Sequence, residues 1–234
     1  MKNNKFQYIL IFILSILLFS CSKSKLQNSN TTNIENSTNE NSQVQLIHAS
    51  PGIIGIKMWY DDNMLQEVGN YYKSNSHYLN IPSGKRKLDL KLSKSNDLLF
   101  SISRELKPNS KYSYFATDTK GKFTGLLVQD DILPLNPDKA QLRIVNILSN
   151  DENIDLNFEN GIKITNIKEK SATNYQYFEK GSFNLSITNS IDKSTIIKNV
   201  LIYLDPGVVY TLYVNGFTNK TGSMGADAIL VVNH

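Results

Sequence analysis

His48 and Ser50 lie two residues apart in the step Ile47-His48-Ala49-Ser50-Pro51-Gly52, where an imidazole base and a hydroxyl come close along the chain. That spacing allows a ligand or general base at His48 working with Ser50. The same residues have a structural use, with the ring nitrogens of a strand-end histidine bonding the turn backbone. Position 146 aligns with position 48 in the internal repeat described below. It carries Asn, which keeps hydrogen-bonding capacity and loses basicity, so the structural use is the one expected. The other histidines are His77 and His234. A zinc site takes several His, Cys or carboxylate ligands, so no metal centre and no cofactor is expected. Asp61-Asp62, Asp130-Asp131 and the run Asp151 to Asp155 are the acidic clusters. Paired carboxylates serve glycoside hydrolysis and clustered oxygens hold calcium, but carboxylates of this kind also solvate loops, which is the reading adopted. There is no G-x-S-x-G elbow, no P-loop and no G-x-G-x-x-G, and no catalytic residue is assigned. Trp59 falls out of phase with the apolar Met58 and Tyr60 and should face away from their core. With Tyr71, Tyr72, Asp61 and His48 it makes up the candidate ligand-binding set, because exposed aromatics are how many binding modules hold ligands.

The elements that would position these residues begin with an export segment. Lys2 and Lys5 precede an apolar run from Tyr8 to Phe19, broken by Ser15 and ending in Leu18-Phe19-Ser20-Cys21. The run is short for a membrane-spanning helix. A small residue followed by the chain's one cysteine resembles the lipobox of bacterial lipoproteins. That resemblance implies a signal peptide over 1–20, cleavage before Cys21 and lipid on its sulfur. The membrane is then a partner through the anchor, and the expected place is the cell envelope, at the outer membrane, periplasmic or surface facing. Residues 21–43 are rich in Asn, Ser and Thr and cannot bury enough apolar surface to offset their ordering entropy, so they read as a disordered tether.

Formal charge is +4, falling to +2 once Lys2 and Lys5 are removed, which excludes a large basic field and a nucleic-acid partner. With its single cysteine acylated the chain has no disulfide, and the fold must rest on apolar burial. The segment from Val44 aligns without gaps on the segment from Leu142, 98 residues later. Val44 meets Leu142, His48 meets Asn146 and Tyr60 meets Phe158. Leu106-Lys107-Pro108-Asn109 with Tyr112 meets Leu204-Asp205-Pro206-Gly207 with Tyr210. Period-two runs separated by turn signals fill both copies. The fold class expected is all-β: two tandem immunoglobulin-like antiparallel β-sandwiches, over 44–134 and 138–234, joined by an extended segment held by Pro134 and Pro137.

Several steps then resemble the bacterial domain-of-unknown-function 4397 family. Ile47 to Gly52 is similar to its opening motif, and Ile56 to Asp61 takes the place of its next strand. Leu79 to Gly84, Leu106 to Ala116 and Leu126 to Asp131 match its later steps. The resemblance covers Val44 to Asp131 and, more loosely, Ala140 to Asn233. It implies exported, often tandem β-rich domains and brings no activity. The function expected is a lipid-anchored, non-enzymatic binding or scaffolding module for an envelope protein or glycan. The alternatives are a carboxylate-based glycan hydrolase using Asp61 or Asp130, and a purely architectural spacer.

Overall fold

The computed structural model describes residues 40–68, 71–119 and 122–233. The export segment, Cys21, most of the expected tether and His234 lie outside the described residues. The first copy supplies β1 (Asn41–His48), β2 (Ile56–Tyr60), β3 (Asn63–Val68), β4 (Leu79–Pro82), β5 (Gly84–Leu92), β6 (Leu98–Leu106), β7 (Lys111–Thr119) and β8 (Lys122–Gln129). The second supplies β9 (Lys139–Leu148), β10 (Ile154–Phe158), β11 (Lys163–Ile167), β12 (Ser171–Ala172), β13 (Gln176–Glu179), β14 (Gly181–Asn189), β15 (Thr195–Leu204), β16 (Val209–Gly216) and β17 (Asp227–Val232). The described residues are all-β apart from one 3-10 turn at Gly222–Met224. Each copy is an immunoglobulin-like sandwich of two sheets, and the described residues fall in one compact unit.

Strand order within the sheets is β4-β1-β7-β8 and β3-β2-β5-β6 in the first copy. The second repeats it as β12-β9-β16-β17, with β13 also on β9, and β11-β10-β14-β15. This order differs from the ABED/CFG arrangement of antibody domains while keeping the sandwich architecture. One pair in each copy departs from the antiparallel expectation. β1 runs parallel to β7 and β9 runs parallel to β16. β1 is threaded between β4 and β7, and β9 between β12 with β13 on one side and β16 on the other, and a parallel neighbour follows from that crossover. The repeat holds in the pairing register itself, since Val44 opposes Tyr112 and Leu142 opposes Tyr210.

The ordered fold begins earlier than composition suggests. Asn41 to Gln43 were expected in the tether, but they are paired to Pro82 to Asn80 of β4, and the Ser42 hydroxyl donates to the Lys107 carbonyl at 2.8 Å. Backbone pairing and a buried side-chain bond order a polar stretch that has little apolar surface of its own.

Three cores hold the unit. Val44, Leu46, Met58, Leu88, Leu90 and Tyr114 are among the buried residues of the first sandwich. Leu142, Ile144, Leu156, Phe158, Phe178 and Leu212 belong to the second. The third lies between the sandwiches, where Ile47, Ala49 and Phe115 meet Val145, Ile147 and Tyr213. Phe115 and Tyr213 stack edge to face there, with centroids 5.7 Å apart. Sheet β4-β1-β7-β8 is therefore covered on both faces, as is the sheet of β9 and β16. This explains why β9 and β16 are buried almost end to end while β14 and β15 alternate. Gly216 closes β16 at φ +85°, and a Cβ there would lie 2.1 Å from the Gly225 carbonyl oxygen, so only glycine fits. Among the described residues no helix is long and apolar enough to cross a membrane.

Candidate functional site

The buried polar residues of this protein concentrate along the seam between the two sandwiches. β1 and β7 send Val44, Leu46, Tyr112 and Tyr114 into their own core, so the alternate residues Gln45, Ile47, Ser113 and Phe115 face the second sandwich. β9 and β16 do the same with Arg143, Val145, Thr211 and Tyr213.

At the end where β1 starts, these positions form a closed polar cluster. Arg143 and Asp130 pair at 2.5 Å with side chains 1% and 0% exposed. Arg143 also donates from Nε to the Thr211 hydroxyl at 2.9 Å, and from its two terminal nitrogens to the Gln129 carbonyl at 3.2 Å and the Ser113 hydroxyl at 2.9 Å. Its guanidinium lies 4.8 Å from the Tyr175 ring centroid. The second oxygen of Asp130 accepts from the Ser113 hydroxyl at 2.9 Å and from Tyr78. Gln45 donates to Ser113 at 2.7 Å, and Asn233 donates to Tyr78 at 3.1 Å while accepting from Thr211 at 2.7 Å. Burial first, and then the Asp130 charge, raises the Tyr78 phenol well above its ordinary range. Burial pushes Tyr175 up to about 12 against the opposing pull of Arg143. Both phenols are neutral at physiological pH, and Tyr78 donates to Asp130.

This cluster has an internal two-fold character. In the repeat Gln45 corresponds to Arg143, Ser113 to Thr211 and Tyr78 to Tyr175. Along the paired strands β7–β8 and β16–β17, Asp130 corresponds to Asn233. The apolar seam follows the same rule, with Ile47 matching Val145 and Phe115 matching Tyr213. At the opposite end Asn215 donates to the Ala49 carbonyl at 2.8 Å, and Thr117, its counterpart, donates to the Ile147 carbonyl at 3.5 Å. The seam has the form of an isologous dimer contact built inside one chain, with its residue types diverged.

His48 and Ser50 sit at that opposite end and are fully buried. The Ser50 N–H donates to His48 Nδ1 at 3.4 Å, while the Ser50 hydroxyl donates to Asp118 at 2.5 Å. The hydroxyl thus turns away from the imidazole, and no serine–histidine dyad forms. Burial lowers the His48 pKa and keeps the ring neutral. Burial raises that of Asp118, with the Ser50 hydroxyl pulling the other way. Asn146 repeats the arrangement, accepting from the Leu148 N–H at 3.2 Å and donating to the Glu152 and Ile167 carbonyls.

The other candidates do not converge with His48 as one site. Tyr72 is half-buried, and its hydroxyl accepts from Asn215 at 2.8 Å, across the seam. Its neighbour Tyr71 is 77% exposed. Trp59 lies on the outer face of sheet β3-β2-β5-β6, opposite Asp89 and Met64, with the Lys91 ammonium 4.1 Å over its ring. The lysine covers the face a flat ligand would use. Asp61 shares with Asp62 the two-residue turn joining β2 to β3, both at positive φ, 42° and 66°. Its carboxylate accepts from the Lys87 N–H at 2.9 Å and from Arg86 at 3.1 Å, so it serves the turn. Among the described residues no group of three or more His, Cys, Asp or Glu side chains is placed to hold a metal ion.

Sequence reasoning missed Gln45, Ser113, Arg143, Thr211, Asn215 and Asn233. Their signal is the repeat itself, which places polar residues at matching positions flanked by alternating apolar ones that a one-sided sheet would leave in water.

No curated protein matches the chain. Three solved structures illustrate what it is similar to. The C-terminal domain of AlgF from P. aeruginosa is 22% identical and covers 41% of this chain and 98% of its own, with a TM-score of 0.28. CBMbc, of family CBM26, from Eubacterium rectale Amy13K in complex with maltoheptaose is 13% identical and covers 82% of this chain and 96% of its own, with a TM-score of 0.27. The fimbrial anchor protein Mfa2 from Porphyromonas gingivalis is 8% identical and covers 82% of this chain and 97% of its own, with a TM-score of 0.21. Residues 42–157, from β1 through most of β10, match the model of a domain of unknown function, DUF4397, and it is this family that the chain resembles.

Proposed function

We propose that this protein is a lipid-anchored component of the cell envelope, at the outer membrane, and a non-enzymatic binding or scaffolding module for a protein or glycan. The observation that carries the reading is the seam. The side chains best suited to chemistry, His48, Ser50, Asp118, Asp130 and Arg143, are buried and bonded to one another or to backbone across or beside the contact between the sandwiches. Their work is to weld two sandwiches into one body that presents its outer sheets and loops. Asp130 is buried against Arg143 and Asp61 is held by its own turn, which counts against the carboxylate hydrolase. The anchor rests on the lipobox-like Leu18-Phe19-Ser20-Cys21.

Two measurements test the reading. Mass spectrometry of the mature N-terminus should find Cys21 diacylated, and Cys21→Ser should release the protein from the membrane fraction. An unmodified Cys21 overturns the anchor. The purified chain applied to envelope glycan arrays and envelope-protein pull-downs should retain a partner while hydrolysing none of the glycans. Hydrolysis that is abolished by Asp61→Asn overturns the non-enzymatic assignment.

A further inference from the structure

The two copies differ most on the outer faces of sheets β3-β2-β5-β6 and β11-β10-β14-β15. β5 and β14 are the equivalent inner strands, since Gly84 opposes Leu106 as Gly181 opposes Leu204. Leu88 and Leu90 go to one core and Leu185 and Ile187 to the other. Lys85, Lys87, Asp89 and Lys91 therefore face outward on β5, and Ser182, Asn184, Ser186 and Thr188 on β14. Charged side chains of the first copy are replaced by hydroxyls and amides in the second. The aromatic residue has moved as well. In the first copy it is Trp59, covered by the Lys91 ammonium, with Met64 and Leu98 as exposed apolar neighbours among the lysines. In the second, Asn157 stands for Trp59 and Thr188 for Lys91, while β15 carries Leu201 and Tyr203 where β6 has Ser103 and Glu105. Leu201 and Tyr203 are 75% and 57% exposed. Tyr203 opposes Ser182 and Leu201 opposes Asn184, so ring, hydroxyl and amide stand side by side. Next to them lies a cleft of about 340 Å³ lined by Glu159, Asn160, Ser182, Phe183 and Asn184. The Asn184 amide nitrogen donates to Glu159 at 2.6 Å, which leaves its carbonyl oxygen without a partner among the described residues. Further charge stays at the margins: Asp155 is answered by Lys193 at 2.8 Å, and Lys163 and Lys198 stand on the outer strands β11 and β15.

We propose, resting on the reading of this chain as a binding module, that the outer face of sheet β11-β10-β14-β15 holds a neutral glycan. A sugar ring is apolar on its face and carries hydroxyls at its rim that both donate and accept. Tyr203, with Leu201 beside it, matches the apolar face by stacking. Ser182 and Asn184 match the rim, since a hydroxyl and an amide also do both. With β14 free of the lysines that β5 carries, the middle of the face has no cation to hold a polyanion. Leu201 and Tyr203 are too little apolar surface for the buried core of a protein interface. The face is open and shallow, so the dissociation constant belongs at about 0.1–1 mM.

The test is isothermal titration calorimetry on the full mature chain, held in a detergent without a sugar headgroup. The probes are cellohexaose, maltohexaose, xylohexaose, mannohexaose and chitohexaose, with oligogalacturonate of the same length as the charged comparison. At least one neutral sugar should bind, and oligogalacturonate should not. Tyr203→Ala should weaken that binding at least about tenfold. Asn184→Lys, which installs the residue type found at 87, should weaken it as well, and Trp59→Ala should leave it unchanged. Tyr203 is exposed, so the circular dichroism spectrum and thermal midpoint of Tyr203→Ala should stay those of the parent. A panel in which no neutral sugar binds overturns the proposal. So does oligogalacturonate bound as tightly, or affinity that survives Tyr203→Ala. A chain that retains an envelope protein or an anionic glycan but none of these sugars overturns this site and leaves the binding-module reading standing. A chain that retains no partner of any kind overturns both.

Discussion

Removing one partner of the Arg143–Asp130 pair is the sharpest perturbation of the seam. The side chains are 1% and 0% exposed, and the Arg143 donors are spent on Asp130, Ser113, Thr211 and the Gln129 carbonyl. Arg143→Gln leaves a carboxylate buried without its cation, and Asp130→Asn leaves a guanidinium buried without its anion. Either change to one partner of a buried pair costs about 3–5 kcal/mol. For a folded body of this size that is roughly 6–20 °C in thermal midpoint. Both substitutions are native to the seam, because Gln is the residue at 45 and Asn the residue at 233. The double variant removes both charges and leaves amides that can bond Ser113, Tyr78 and Thr211. It should therefore regain most of the loss and lie within about 2 kcal/mol of the parent, giving a coupling of about 3 kcal/mol or more. Urea unfolding followed by far-UV circular dichroism, with calorimetry alongside, measures all four proteins. Single variants within about 1 kcal/mol of the parent, or losses that simply add, would refute the reasoning.

Burial holds His48 below its ordinary 6.5 in the fold, so the unfolded chain takes up a proton first as the pH drops. Stability should be full above 6.5 and fall below it by up to about 1.4 kcal/mol per pH unit, until the folded value is reached. His48→Asn copies Asn146 and should remove that slope, as urea midpoints between pH 8 and 5 would show; an unchanged slope contradicts a neutral buried ring. Asp155 is held at about 2, because the Lys193 ammonium, the Asn166 N–H and the Ser190 hydroxyl outweigh a burial effect that alone would raise it. Its contribution is present above 3.8 and lost as the pH falls through about 2. Lys193 is 65% exposed, so solvent screening limits that contribution to about 1 kcal/mol, and Asp155→Asn should flatten stability between pH 4 and 2 by that amount. Gly216→Ala drives a methyl into the Gly225 carbonyl at a positive φ and should cost at least about 2 kcal/mol by calorimetry, whereas an unchanged midpoint would mean the loop after β16 yields freely.

The repeat, the strands and the turns were legible because each leaves a local mark. Val44 with Leu142, and Tyr112 with Tyr210, have the same type and spacing, and both tyrosine hydroxyls do accept from the N–H five residues upstream, in Lys107 and Asp205. Lys107-Pro108-Asn109 and Asp205-Pro206-Gly207 read as turns, and Asn109 and Gly207 do take the left-handed backbone there. The seam was not legible. Gln45, Ser113, Arg143 and Thr211 alternate with core residues, as water-facing side chains do. Period two tells which residues share a face but not what covers it. Ile47, Phe115, Val145 and Tyr213 on that same face were the contrary sign. The parallel pairs were hidden too, since alternation carries no strand order. Asn41 to Gln43 were misread because composition measures burial and they are held by the ladder.

The two-fold character of the seam makes a stronger demand than any single contact. If the sandwiches meet about a true pseudo-dyad, the ion pair has an equivalent location on the other side of it, at positions 45 and 233. Gln45 lies 2.7 Å from the Ser113 hydroxyl, and Asn233 bonds Tyr78 and Thr211, so both are already wired to the hydroxyls that serve Arg143 and Asp130. Moving the pair takes four substitutions: Gln45→Arg, Asn233→Asp, Arg143→Gln and Asp130→Asn. The charge count is unchanged, and each new residue is one its repeat partner already accommodates. Gln45→Arg or Asn233→Asp alone inserts an uncompensated buried charge and should cost about 3–5 kcal/mol, like the removals. The transposed protein should return to within about 2 kcal/mol of the parent and keep its cooperative unfolding. Packing specific to one side would instead leave it as damaged as its components. An unfolded transposed chain beside a stable Arg143→Gln, Asp130→Asn double variant would show that the resemblance between the halves ends at the backbone.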